Sequence, residues 1–269
     1  MKKSFKKIGL FLALGLTTAI FNSCNKDDDN KGGDDGNGGS SSVSKITATN
    51  VIDGSTQIKT VKALVYWGEN YDNVEVIAQA PYQNNGFTLE LPATLSAKYL
   101  EALDEGEMKG FSISDKNVKG SSFDGFSGYD KDGNEIGVFL YEERNENAGP
   151  LAGHLAGWVY VDGDVTIKGE QKDSDSDSEY TYEWSSKVDY KLKKGWNIVY
   201  ASYTYTYDET TKTIKISAIA TTQKPANVNF NWYFNNWYFE DDGYNYSASL
   251  KSAKSLSEKK SFFAKLKRR

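Results

Sequence analysis

The densest group of ring-bearing side chains lies near the C-terminal end of the chain. Residues 230–239 read FNWYFNNWYF, with seven aromatic residues and three asparagines. Aromatic faces stack on the apolar faces of sugar rings, and amide groups bond hydroxyls. Alternate strand residues face opposite sides, so one face carries rings whichever face is buried. A strand buried on both faces is the favoured interpretation, and a face that is exposed for ligand binding or packed against the tail is the alternative. The candidate ligand-binding residues are Trp232, Tyr233, Trp237 and Tyr238.

The residues that usually carry catalysis are scarce. His154 is the only histidine and Cys24 the only cysteine. A Ser-His-Asp triad would need His154 as its base, and no nucleophile-elbow pattern surrounds it. A zinc site needs several histidines or cysteines. A glycosidase needs two carboxylates, and no motif selects a pair from the 37 acidic residues. We expect no catalytic residue, metal or cofactor, with a glycosidase as an open alternative.

Two acidic segments offer oxygen ligands. Residues 130–141 begin like a calcium loop, with Asp, Asp and Asn at the first, third and fifth positions. The sixth position, however, is Glu135 rather than glycine, and the twelfth is Tyr141 rather than glutamate. This predicts an Asp-Gly hairpin turn at 131–134. The alternating Asp and Ser residues at 173–177 predict a solvated loop, with loose cation binding as the alternative.

The N-terminal segment has the pattern of a secretory signal. Four lysines among the first seven residues precede an apolar run at 8–20. Thirteen helical residues span about 20 Å, which is too short for a hydrocarbon core of about 30 Å. A cleaved signal is therefore favoured over a permanent membrane helix.

The end of that run resembles the lipobox of bacterial lipoproteins, with Phe21-Asn22-Ser23 before Cys24. The resemblance implies cleavage before Cys24 and lipidation of its sulfur. A thiolate is a good nucleophile for a thioether, and several acyl chains give a stable anchor. The alternative is an unpaired thiol or an intermolecular disulfide.

The residues after Cys24 resemble the surface-export signal of Bacteroidota lipoproteins. They are Lys26, Asp27, Asp28 and Asp29. The resemblance implies a lipid anchor in the outer membrane with the protein facing the cell exterior. A solvated acidic linker is the alternative. Gly, Asp, Asn and Ser dominate residues 30–44 and predict a flexible tether.

Charge is distributed unevenly. The whole chain carries −5, and because the signal carries +4 and residues 249–269 carry +7, residues 25–248 carry −16. An acidic body argues against nucleic-acid binding, which needs a basic face. Residues 249–269 predict a basic, partly helical tail.

The remaining sequence predicts an all-β domain. Short aromatic and β-branched segments alternate with turn residues, which favours an antiparallel β-sandwich or barrel-like domain of about ten to twelve strands. We predict a short helix at 96–103, a loop at 121–127, and a pair between 155–161 and 165–169. The predicted regions are a signal peptide (1–23), a lipidated cysteine with export signal and tether (24–44), a β-rich ectodomain (45–248) and a tail (249–269).

These patterns predict a lipid-anchored surface protein with a non-catalytic ligand-binding domain, for which a glycan is the candidate ligand. Its partners would be the outer membrane, through the anchor, and a polysaccharide or another surface protein. One alternative is a structural or adhesive lipoprotein with buried tryptophans and an open edge strand. Another is a lipocalin-like carrier with an internal cavity for a small apolar ligand. Tyr203, Tyr205 and Tyr207 share one face of a predicted strand, where we expect cross-strand packing.

Overall fold

The structure is a computed structural model, and it describes residues 44–68, 73–103, 110–123, 125–144, 152–176 and 180–236. These residues form fifteen β-strands and one short 3-10 helix, which confirms the all-β class. Several predictions concern residues outside the described ranges. They are the lipidation site and export signal (Cys24, Lys26, Asp27, Asp28 and Asp29), the rings Trp237 and Tyr238, and the tail at 249–269.

The strands follow one another along the chain with short connections. They are β1 (Lys45–Ala48), β2 (Thr60–Trp67), β3 (Asn73–Pro81), β4 (Phe87–Glu90), β5 (Glu101–Ala102), β6 (Phe111–Ile113), β7 (Lys119–Phe123), β8 (Gly125–Tyr129), β9 (Glu135–Arg144), β10 (Ala152–Val161), β11 (Val165–Ser176), β12 (Thr181–Leu192), β13 (Gly195–Asp208), β14 (Thr213–Thr221) and β15 (Asn231–Asn236). Fifteen strands exceed the predicted ten to twelve because three short strands, β5, β7 and β8, overlap segments that we predicted as a helix and a loop.

Thirteen of the strands belong to one large sheet. Its order is β3-β2-β8-β9-β10-β13-β14-β12-β11-β6, with β15 on β9, β7 on β10 and β5 on β7, while β1 and β4 form a separate pair. The described pairs are antiparallel except β12 with β14, which is parallel. This exception arises because β14 turns back from β13 and lies between β13 and β12.

The segment at 121–127 is not the loop that its glycine and serines predict. It forms most of β7 and β8. Neighbouring groups lie against the backbone here: a Cβ at Gly125 would lie 2.6 Å from the Phe139 carbonyl oxygen, and one at Gly128, just after the segment, would lie 2.7 Å from the Phe234 ring. Close packing, rather than turn geometry, explains this composition.

The helix predicted at 96–103 is also wrong. A 3-10 turn covers Ala97–Tyr99, and Leu100 already has extended backbone angles, with φ −99° and ψ 128°. Tyr99 is buried in one core cluster and Leu103 in another. Because Tyr99 and Leu103 pack into different cores, the segment does not continue as one helix.

The predicted pairing of 155–161 with 165–169 does not form. Instead β10 pairs with β13 on one edge and with β9 and β7 on the other. The connection between β10 and β11 instead bonds to other segments. The Asp162 carboxylate accepts the Lys119 backbone N–H at 2.8 Å, and the Asp164 carboxylate accepts the Lys194 backbone N–H at 2.9 Å. The hairpin predicted at 131–134 is confirmed between β8 and β9, with Asp130 accepting the N–H of Asn134 at 2.8 Å.

Strand β10 separates two hydrophobic cores. Trp158 and Tyr160 belong to the first core cluster, whereas Val159 and Val161 belong to the second. Alternate residues of a strand face opposite sides of the sheet, so β10 is buried on both faces. The second core unites buried side chains of β6, β10, β11, β12, β13 and β14.

Candidate functional site

Trp232 lies in the first core and not on the surface. Only 7% of it is exposed. Its ring stacks on Trp158 at 5.7 Å between centroids and 14° between planes, and it also contacts Phe87 at 5.3 Å. The prediction that Trp232 is an accessible ligand-binding ring is therefore wrong. Strand β15 pairs along β9, and this face of β15 closes the core.

Tyr233 points to the opposite face of β15 and is partly exposed. The Arg144 guanidinium carbon lies 4.0 Å from the centroid of its ring, a cation–π contact. The structure does not describe the other two candidates, Trp237 and Tyr238. Tyr233 is thus the one predicted ring that the structure places on an accessible face.

A buried ion pair holds Arg144 in position. Its Nε donates to Glu142 Oε1 at 2.7 Å, and its NH2 group donates to the Asn235 side-chain oxygen at 2.5 Å. Burial raises the pKa of Glu142, while Arg144 opposes that rise. The pKa of the nearby Tyr203 is raised to about 12, chiefly by burial and then by Glu142. This group links β9, β15 and β13 and has a structural role.

A second, accessible set of rings lies on the outer halves of β12, β13 and β14. The cross-strand register places them in two rows on one face of the sheet. One row is Tyr207, Ile214 and Tyr182, and the other is Tyr205, Ile216 and Trp184. We call these six residues the aromatic face. Tyr207 is 42% exposed, and the other five are partly exposed.

The rings of the aromatic face contact one another within and across the strands. Tyr182 and Trp184 are stacked, with 5.8 Å between their ring centroids and 10° between their planes. Tyr180 contacts Tyr182 at 6.4 Å and Tyr207 at 6.1 Å, with the ring planes tilted by 58° and 59°. Burial, with Tyr207 nearby, raises the pKa of Tyr205. Partly exposed rings of this kind can contact the apolar face of a ligand.

Acidic side chains border the aromatic face on β11. Asp173 stands directly opposite Trp184 in the register, and Asp175 stands opposite Tyr182. Both aspartates are exposed. Each carboxylate accepts the backbone N–H of the serine that follows it, at 2.8 Å. Strand β11 extends to Ser176, so 173–176 is an exposed strand and not the predicted loop.

The reverse side of the same sheet region is polar. The Ser185 and Ser217 hydroxyls lie 2.8 Å apart, and Lys215 pairs with Glu183 at 3.0 Å. A sheet with one polar and one apolar face normally covers the apolar one. Here the ring-bearing side continues at its inner end into the second core, through residues such as Val188. The aromatic face is thus the uncovered end of a core-forming surface.

A polar row crosses the sheet on its reverse side. Ser202 Oγ lies 2.8 Å from His154 Nδ1, and His154 Nε2 lies 3.5 Å from Glu143. The residue types are those of a hydrolase triad. They are, however, direct cross-strand neighbours, and the backbone N–H groups of central strands bond within the ladder. An oxyanion site needs free donors aimed at the reacting oxygen, so we assign this row to cross-strand pairing.

Within the described ranges, no three His, Cys, Asp or Glu side chains are grouped to hold a metal ion. The same residues contain no helix with the length and apolar character needed to cross a membrane. No protein-family model, curated protein or solved structure matches the chain. The site must therefore be interpreted from its own chemistry.

Sequence reasoning missed most of the aromatic face. Its signal was present as alternating rings at 180–184 and again at 203–207. We interpreted the second set as cross-strand packing, which holds for the buried Tyr203. The two sets meet only because β14 lies between β12 and β13, and that strand order is not visible in the sequence.

Proposed function

We propose that this protein is a lipid-anchored surface protein that binds a glycan, without catalysis, on its aromatic face. The observation that carries the proposal is the pair of cross-strand rows that leave Tyr182, Trp184 and Tyr207 together on an open sheet surface. Aromatic rings are costly to leave in water, and exposed apolar patches commonly mark binding sites.

The shape of the surface supports a polymer rather than a small enclosed ligand. The aromatic face is an open surface that extends across three strands, with rings on β12 and β13 and isoleucines on β14. At the inner end of the same surface, buried side chains such as Ile167, Val188 and Leu192 fill the space between the strands. Filling of that interior favours surface binding over a carrier cavity.

The lipid anchor and the surface localisation are proposed from the N-terminal sequence. Cys24 would carry the lipid, and residues 26–29 would direct export to the outer face of a Bacteroidota outer membrane. A flexible tether of the composition and length seen at 24–44 has a root-mean-square span of about 25 Å. The domain could thus reach a polysaccharide without leaving the membrane.

One feature favours an adhesive role as a second candidate. Strand β3 ends the order of the large sheet, and its Val74 and Val76 are 47% and 43% exposed. An edge strand with exposed apolar residues can add a strand from a partner. This candidate places the partner on β3, far along the sheet order from the aromatic face.

The test is a titration of the chain from Asn25 to Arg269 with a panel of polysaccharides. Binding is measured by calorimetry and by tryptophan emission. We expect saturable binding that is lost in the Tyr182→Ala, Trp184→Ala double variant. The matched control is Ser185→Ala, Ser217→Ala, which alters the same region on its polar side and should leave affinity unchanged.

Two results would overturn the proposal. One is the absence of binding to every glycan by a folded chain. The other is binding that survives in the aromatic variant while circular dichroism shows an intact fold.

A further inference from the structure

We propose that the glycan held by the aromatic face is cationic, an amino-sugar polymer with protonated amines. This inference rests on the proposed function and adds the chemical class of the ligand. It follows from the separation of charges between the two sides of the β11–β14 region.

The lysines of this region lie on the polar side and have carboxylate partners there. The pairs are Lys172–Glu170 at 3.0 Å, Lys215–Glu183 at 3.0 Å and Lys168–Asp189 at 3.2 Å. The register assigns all six residues to the side opposite the rings. The positive charge of this region is therefore turned away from the aromatic face and neutralised locally.

The aromatic face has carboxylates of its own but no such partners. Asp173 and Asp175 are on the ring-bearing side, opposite Trp184 and Tyr182. The ion pairs found across the described ranges do not include either aspartate, whose bonds in the structure are to serine backbone N–H groups. The face thus presents two uncompensated negative charges beside stacked rings.

A protonated amine is the group that fits both features. An ammonium donates a charge-assisted hydrogen bond to a carboxylate, and the quadrupole of an aromatic ring attracts its positive charge. A sugar ring stacked over Trp184 would direct its substituents toward Asp173. A sulfated or uronate polymer would instead meet like charge, and residues 25–248 carry −16 in total.

The experiment compares two ligands with the same backbone. The chain from Asn25 to Arg269 is titrated by calorimetry with short β-1,4-linked glucosamine oligomers and with their N-acetylated counterparts, at mildly acidic pH. Because a partly desolvated ion pair and a cation–π contact add to the stacking, we expect about tenfold tighter binding of the amine form. That preference should shrink as salt is raised from about 20 to about 500 mM.

The decisive variant is Asp173→Asn, Asp175→Asn, which removes both charges while keeping side-chain shape. We expect it to lose most of the preference for the amine form, with only the cation–π contribution of the rings remaining. Glu183→Gln is the matched control, since it removes a carboxylate from the polar side of the same sheet, and it should keep the preference for the amine.

Several outcomes would overturn the inference. Equal affinity of the native chain for both oligomers would do so and would leave the proposed function standing. An unchanged preference in the Asn variant would also reject it. Failure of the folded chain to bind either oligomer or any neutral glycan would reject both proposals.

Discussion

The molecule has two aromatic regions that are built alike and end differently. In the first core, Trp158 stacks on Phe123 with 18° between planes and on Trp232 with 14°. On the aromatic face, Tyr182 stacks on Trp184 with 10°. Ring geometry does not separate the two regions. They differ in how far other residues bury the rings: Trp158 is 2% exposed, whereas Tyr207 is 42% exposed.

The cover of the first core comes from distant parts of the chain. Phe87 of β4 and Trp232 of β15 both pack into it, from sequence positions far apart. In the outer region, β12 and β13 contribute rings and β14 contributes Ile214 and Ile216 to the same side, and the Ser185 and Ser217 hydroxyls lie on the reverse. A ring cluster therefore acts as core where the fold supplies a second layer, and as a candidate binding surface where it does not.

The strongest test of this difference is removal of a ring from the covered region. Trp158→Ala should lower the free energy of unfolding by about 4 kcal/mol, because it deletes a large side chain from a packed core and leaves a cavity. Urea unfolding measures the change. A loss below about 1 kcal/mol would mean that this region is not the core that the burial indicates.

The next largest effect should come from the ion pair beside the covered region. Arg144→Leu leaves the Glu142 carboxylate buried without its cation, at a cost of about 3 kcal/mol near neutral pH. Burial already raises the pKa of Glu142, and loss of Arg144 raises it further. A raised carboxyl pKa favours the folded state at low pH and penalises it as pH rises through that pKa.

The loss in Arg144→Leu should therefore be larger at about pH 8 than at about pH 5, because the raised pKa makes a charged Glu142 more costly to the folded state as pH rises. Denaturant unfolding at both pH values checks this. The double variant Glu142→Gln, Arg144→Leu is the control, and its deficit should not change with pH. The same loss for Arg144→Leu at both pH values would contradict the assignment.

A smaller effect is expected from displacing β15, which covers one side of the first core. A Cβ at Gly137 would collide with the Asn235 carbonyl oxygen and lie 2.6 Å from the Phe234 ring. Gly137→Ala should cost about 2 kcal/mol by displacing β15 from β9, and tryptophan emission should shift to the red as Trp232 meets water.

Gly163→Ala provides a comparison for that variant, because its methyl group would meet the Val118 methyl at 2.9 Å, the end of a side chain that can move. We expect a smaller loss and no shift in emission. Equal effects of the two alanines would show that β15 does not seal the core.

The smallest effect on stability should come from the open region. Trp184→Ala removes a partly exposed ring that no second layer of the described residues covers, and we expect a change within about 1 kcal/mol. The same variant should lose glycan binding. A stability loss close to that of Trp158→Ala would show that the aromatic face is a covered core, and would remove the basis for the proposed function.

Local patterns in the sequence were enough to predict part of the fold. The alternation of apolar residues gave the strands and the all-β class, and the Asp-Gly turn at 131–134 gave one hairpin. Composition misled where packing had a nonlocal cause. The glycine and serines of 121–127 suggest a loop, but the segment forms strands, and Gly128 just after it is small because the Phe234 ring from β15 lies against it.

The sequence by itself determined the secondary-structure class, the acidic body and a signal-like N-terminus, because each depends on neighbouring residues or on their sum. Only the tertiary structure decided which rings are covered. Alternation assigns Trp232 and Trp184 each to a face of its strand but does not say what packs there. Strand order decides that: β15 closes over the first core, whereas β14, inserted between β12 and β13, gathers rings on a side that no second layer of the described chain covers.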